Sequence, residues 1–349
     1  MSDPPASPNP PPPPEQAGRQ STHPAARTKA RRAAGIVSAA IILFYAGFFR
    51  WAFAQPWLGD SGGVVSLSFI VSVPFACGAL SVAIGRWLGS DDWFKHAMMV
   101  PLTTLALGLL LCLMLGIEAA ICIVMAIPLL LIAVVLGGLM AHSLLPRNFP
   151  FPRLQVTLLV FLPLITAMLE GTLHWPSEKK AITNSIVINA SAETIWPLIA
   201  SVDPIDPSQI PNRWIYRIGF PKPIAATLDH HRAGGVRIAT FDRGVSFFET
   251  VTEWDPPRRL SFTIHADPDF IPHTAFDQHI IVGGRFYDVL DGTYEIEVLG
   301  PGRCRLHLTS NHRLSTRFNA YAAWWSVRIM DQIQGSILEV IRDRAESTE

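Results

Sequence analysis

Five apolar stretches, at about 34–54, 64–88, 97–117, 119–141 and 154–172, fill most of the first half of this 349-residue chain. A helix rises about 1.5 Å per residue, so crossing a hydrocarbon core of about 30 Å takes about 20 apolar residues. All five stretches are near that length, which predicts a membrane-embedded helical region over residues 34–172. Composition points the same way, with 49% of residues hydrophobic and only 16% charged. Acidic Glu118 and Glu170 fall at segment ends rather than at mid-depth. Pumps and ion carriers place ionisable groups inside the membrane, so the pattern argues against transport chemistry.

Orientation follows from the cations. Arg27, Lys29, Arg31 and Arg32 precede the first stretch, Arg86 and Lys95 lie between the second and third, and Arg147 and Arg153 between the fourth and fifth, whereas the opposite connections hold only Arg50. The positive-inside rule puts the N-terminus in the cytoplasm. Five crossings then place the C-terminal part outside it, in a multi-pass protein of the inner, or cell, membrane. If the first stretch is instead a signal peptide cleaved after Ala52-Phe53-Ala54, four crossings leave that part outside all the same. Trp51, Trp57, Trp87, Trp93 and Trp175 lie near predicted ends, as interfacial rings do. Residues 1–33, with the run Pro10 to Pro14, read as a disordered cytoplasmic tail, or as a docking site for a proline-recognising partner.

From about residue 180 the pattern changes to strands. Ile182 to Ala190 reads as a first strand, followed by a helix that Ser191 can cap, a Pro-rich segment, and strand-like runs at about 223–229, 235–241, 245–254, 259–265, 278–289, 292–299 and 303–312. Leu260, Phe262 and Ile264 alternate with polar neighbours, as do Tyr294, Ile296 and Val298, so one face is buried and the other wet. Asp255-Pro256-Pro257 and Gly300-Pro301-Gly302 mark turns of an antiparallel meander. A last amphipathic helix spans about 317–345, with Phe318, Tyr321, Trp325, Ile329, Ile333, Ile337 and Ile341 at helical spacing.

The order of strand, two short helices, antiparallel strands and one long helix over residues 180–346 resembles the helix-grip superfamily of START domains and polyketide cyclases. The pieces that carry the resemblance are Ile186-Val187-Ile188-Asn189-Ala190-Ser191-Ala192-Glu193-Thr194-Ile195-Trp196, the run Phe248 to Trp254, and Tyr287 to Tyr294. It implies an α+β fold, a curved antiparallel sheet wrapped around the long helix, with an apolar cavity between them. Trp214, Tyr216, Phe247, Phe262, Tyr294, Trp325 and Ile329 are then the expected walls, unless these side chains simply fill a solid core. The implied partners are a lipid or other hydrophobic small molecule, next to a bilayer.

Seven histidines in this half, His230, His231, His265, His273, His279, His307 and His312, raise acid/base or metal chemistry. None has metal-ligand spacing, and surface positions are expected for them; His265 with Asp277 or His279 is the candidate catalytic pair. Neither a metal nor any other cofactor is expected. Cys304 alternates with Arg303 and Arg305 and is expected to face the core, and no GxSxG motif supports a nucleophile. With 28 positive and 28 negative side chains, nothing points to nucleic acid. Three functions remain: membrane-anchored binding of an apolar ligand, an extracytoplasmic cyclase, dehydratase or hydrolase, and a sensor or assembly subunit with a protein partner.

Overall fold

The computed structural model describes residues 24–55, 63–90, 92–145, 153–174, 176–266 and 282–348. Five long helices come first: α1 (Pro24–Phe53), α2 (Val73–Trp87), α3 (Val100–Met114), α4 (Ala120–Leu144) and α5 (Arg153–Gly171). With the wide helical turns Ser68–Ser72 and Lys95–Met99 that lead into α2 and α3, all five are long and apolar enough to cross a membrane. Helix α1 begins at Pro24 rather than near residue 34, so Arg27, Lys29, Arg31 and Arg32 sit on its first turns and not in an irregular tail. The wide turns have a common cause: Pro74 and Pro101 carry no N–H for the carbonyl four residues back.

Helix α2 is the buried one, and α1, α3, α4 and α5 surround it. It meets α4 backbone to backbone. A Cβ on Gly78 would stand 2.1 Å from the Val134 carbonyl oxygen, and one on Gly137 2.0 Å from that of Phe75. Such small-residue contacts let helices approach where no water drives them together. Phe44, Trp51, Leu110, Met114, Leu136 and Leu169 remain exposed on the outside of the bundle.

The second half is a seven-stranded antiparallel sheet gripping a long helix. Its strands are β1 (Glu178–Ile188), β2 (Pro223–Leu228), β3 (Val236–Phe241), β4 (Ser246–Asp255), β5 (Arg259–His265), β6 (Tyr287–Gly300) and β7 (Arg303–Leu314), in the spatial order β1-β7-β6-β5-β4-β3-β2. Short helices α6 (Ala192–Ala200) and α7 (Trp214–Arg217) carry the chain from one sheet edge to the other, and α8 (Asn319–Glu346) closes the fold. Ser191 caps α6, its hydroxyl accepting from the Thr194 N–H at 3.2 Å.

One strand differs from its sequence reading. Residues 287–300 form a single strand where the sequence suggests a break before Gly292. The register slips between Val289 and Asp291, so a bulge bends β6 without ending it. The start of the predicted run at 278 lies outside the described residues.

Domain and bundle meet at the end of the bundle where α1, α3 and α5 finish and α4 begins. The buried Glu170 carboxylate accepts from the Leu67 and Ser68 N–H groups at 3.0 and 2.9 Å, holding the turn that starts the second span. Arg317, just before α8, donates to the carbonyl oxygens of Glu170, at 2.9 Å, and of Leu173 and His174, and so caps α5. The Tyr321 hydroxyl donates to the Met125 carbonyl of α4.

Candidate ligand-binding cavity

The inside of the sheet is packed at one end and hollow at the other. Where the C-terminal half of α8 crosses under α6, Ile188, Ile195, Ile199, Leu260, Leu306, Leu338 and Ile341 form a closed core. Toward the bundle, the sheet, α8 and the helices α1 to α4 together line a partly open cavity of about 850 Å³, within the range of small-molecule sites.

Four of the expected wall residues lie on it: Phe247, Phe262, Tyr294 and Ile329. Three do not. Trp325 is buried against Ile121 of α4 and Ile215 of α7, at the joint with the bundle. Trp214 is half-exposed beside it, with ring centroids 6.3 Å apart, and Tyr216 packs with Ile210 and Val340. The apolar stripe of α8 meets more than one neighbour: Trp325 serves the joint, Tyr321, Ile329 and Ile333 reach both joint and cavity, and Ile337 turns to the cavity.

The cavity wall carries a buried ion pair. Arg237 on β3 and Glu249 on β4 are direct cross-strand partners, both on inward-facing positions, 4% and 6% exposed, with the guanidinium donating to the carboxylate. Arg237 Nε also donates to the Ala200 carbonyl at 3.2 Å, and its guanidinium lies 5.5 Å from the centre of the Phe262 ring. The Tyr294 hydroxyl is coupled to the same guanidinium, whose charged form it favours. Burial lifts the Glu249 carboxyl, and the facing guanidinium opposes that lift. Burial likewise pushes the Tyr294 hydroxyl up to about 12. The three groups thus form one polar patch in the otherwise apolar wall of the domain. Gly292 makes room for it, because a Cβ there would stand 2.6 Å from Phe262 Cε2.

Arg237 and Glu249 are not among the residues that the sequence pattern singles out. The signal was present: in Arg237-Ile238-Ala239 and Phe247-Phe248-Glu249-Thr250-Val251 the charges share parity with core residues. A second polar set bridges β7 and α8, where Gln334 Nε2 donates to Ser310 Oγ at 2.9 Å and His312 Nε2 lies 3.0 Å from Ser326 Oγ.

The catalytic pair is not assembled by what is described. His265 is exposed at the end of β5, and Asp277 and His279 lie outside the described residues. His230 and His231 are exposed as expected, but His312 is fully buried. It sits at an inward position of β7, in step with Leu306, Leu308 and Ser310. Cys304 is buried on the same face. Among the described residues no group of three His, Cys, Asp or Glu side chains is placed to hold a metal.

Burial lowers the His312 pKa below its ordinary value near 6.5. Between the two values the unfolded chain binds a proton that the folded chain refuses, so stability is present above about pH 6.5 and drains away as pH falls below it. A titration of unfolding free energy should show that decline, with a slope of at most about 1.4 kcal/mol per pH unit from this one group. His312→Gln should flatten that part of the profile; an unchanged profile would assign the decline to other groups.

Residues 178–346 therefore form one antiparallel sheet closed by a long helix, an arrangement consistent with a helix-grip fold, with its hollow end against apolar helices. No family model matches the chain, and no curated protein does. Among solved structures it is similar to an aromatase/cyclase from Streptomyces (17% identity, TM-score 0.31, covering 48% of this chain and 94% of that one). It is also similar to norcoclaurine synthase from Thalictrum flavum (13%, 0.31, 48% and 86%) and to an uncharacterized protein from Bacillus thuringiensis (13%, 0.31, 47% and 97%).

Proposed function

We propose that this protein is a membrane-anchored binder of a hydrophobic small molecule or lipid, with the helix-grip domain held at the extracytoplasmic face of the bilayer. The observation that carries the reading is the cavity of about 850 Å³, walled by apolar side chains and relieved by the Arg237–Glu249–Tyr294 patch. An apolar guest gains about 25 cal/mol for each Å² removed from water. Anchoring rests on the five apolar helices and their exposed outer side chains, which need lipid rather than water around them. Orientation rests on the distribution of Arg and Lys in the connections.

Organic extraction of the purified full chain should release about one apolar molecule per chain. Ala239→Phe, which adds a ring to the cavity wall, should release far less while the circular dichroism spectrum stays the same. Equal extracts from both proteins, each matching bulk lipid, would count against the reading.

A further inference from the structure

The cavity does not stop at the domain. Its wall continues onto Ile42 of α1, Cys77 of α2, Thr104 and Cys112 of α3, and Val134 of α4, so the bundle and the domain share one compartment. At the seam between α1 and α3 the wall is formed in part by glycine. Gly47 of α1 lines the cavity and is also exposed on the outer surface, with nothing within 4 Å of a Cβ built there. Across the seam Gly108 lines it too, and the nearest atom to its Cβ position is Leu43 Cδ1 at 3.6 Å. Backbone, not side chain, separates the hollow from its surroundings at this point.

Charge along the wall is cancelled in pairs. Arg50 and Glu118 face each other at 2.6 Å near the joint, and Arg237 pairs with Glu249 in the domain. A charged head group would be buried here without a counter-ion, at a cost of several kcal/mol. Gln334 is different. It is 2% exposed, lines the cavity, and only one end of its amide is used, by Ser310; the other end has no partner. An unmet buried amide end is destabilising, and the guest can meet it. The two ends of the amide are nearly alike in shape, so it can sit either way round, and a hydroxyl, donor and acceptor at once, answers both orientations.

Resting on the hydrophobic-ligand reading above, we propose that the guest is a neutral, hydroxyl-bearing long-chain lipid. Its hydroxyl lies against Gln334 and Ser310, its chain runs down between α1, α3 and α4, and it exchanges with the bilayer through the seam at Gly47 and Gly108. The bundle is then half of the binding site and not only an anchor.

The test uses the full chain in phosphatidylcholine nanodiscs, with a long-chain primary alcohol carrying a terminal diazirine as probe and the carboxylic acid of equal length as competitor. Photolabelling should saturate and fall on peptides around Ile42, Thr104 and Val134. The unlabelled alcohol should compete better than the acid, and Gln334→Leu should weaken probe binding by roughly three- to tenfold, the worth of one hydrogen bond. Gly47→Phe should slow labelling from the bilayer. Saturable labels confined to domain peptides would overturn this proposal while leaving the ligand-binding reading intact, and so would stronger competition by the acid. No saturable labelling anywhere would overturn both. If Gly47→Phe does not insert, the label positions and the Gln334→Leu ratio decide alone.

Discussion

Glu249→Ala is expected to destabilise the domain by about 3–5 kcal/mol, because it strands the Arg237 guanidinium in an apolar wall with only the Ala200 carbonyl, the Tyr294 hydroxyl and a ring face for company. Removing both charges together should behave differently. Arg237→Met with Glu249→Leu replaces the pair by apolar groups of similar volume, and such exchanges are often neutral or stabilising. Denaturation of the two variants beside the parent chain measures this. A double variant as weak as the single one would show that the pair is held by more than mutual compensation. If the double variant is stable yet releases no ligand on extraction, the pair is retained for recognition. Retained ligand in that variant would limit the pair to a structural role.

The second large effect is expected at the α2–α4 contact. Gly137→Leu places carbon where the Phe75 carbonyl oxygen already stands, 2.0 Å from the new Cβ, and the obstruction is backbone that cannot swing aside. The two helices must separate, at a cost of at least about 3 kcal/mol, the upper end for overpacked sites. Thermal aggregation of detergent-solubilised protein should begin at clearly lower temperature. Gly47→Leu is the fitting control, since its Cβ meets nothing within 4 Å, and it should melt like the parent chain. A Gly137→Leu protein that also melts like the parent would show that α2 and α4 do not pack as described.

How far the sequence carries this description differs by level. Helix number, strand periodicity and the long final helix come from composition and alternation, which report burial directly. The break read before Gly292 failed because glycine in a strand suggests a turn, whereas here it clears space for the Phe262 ring lying across β6. Trp325 looks like a cavity residue because helical spacing shows that a face is apolar, not which neighbour it meets; it packs on Ile121 of α4, beside the Tyr321 hydrogen bond to Met125. That contact joins residues nearly 200 apart in the chain and leaves no local trace. Arg237 and Glu249 were legible in principle, being charges at core parity on adjacent strands, but only once those strands are paired in register. The buried His312 was hidden likewise, among histidines whose residue type suggested the surface.

Native mass spectrometry of the intact 38.4 kDa chain, released from its detergent micelle, puts the shared cavity to its most direct trial. One discrete adduct of fixed mass, bound one to a chain and lost in Ala239→Phe, is the predicted spectrum. A bare chain, or a ladder of mixed lipids that Ala239→Phe leaves unchanged, would contradict it.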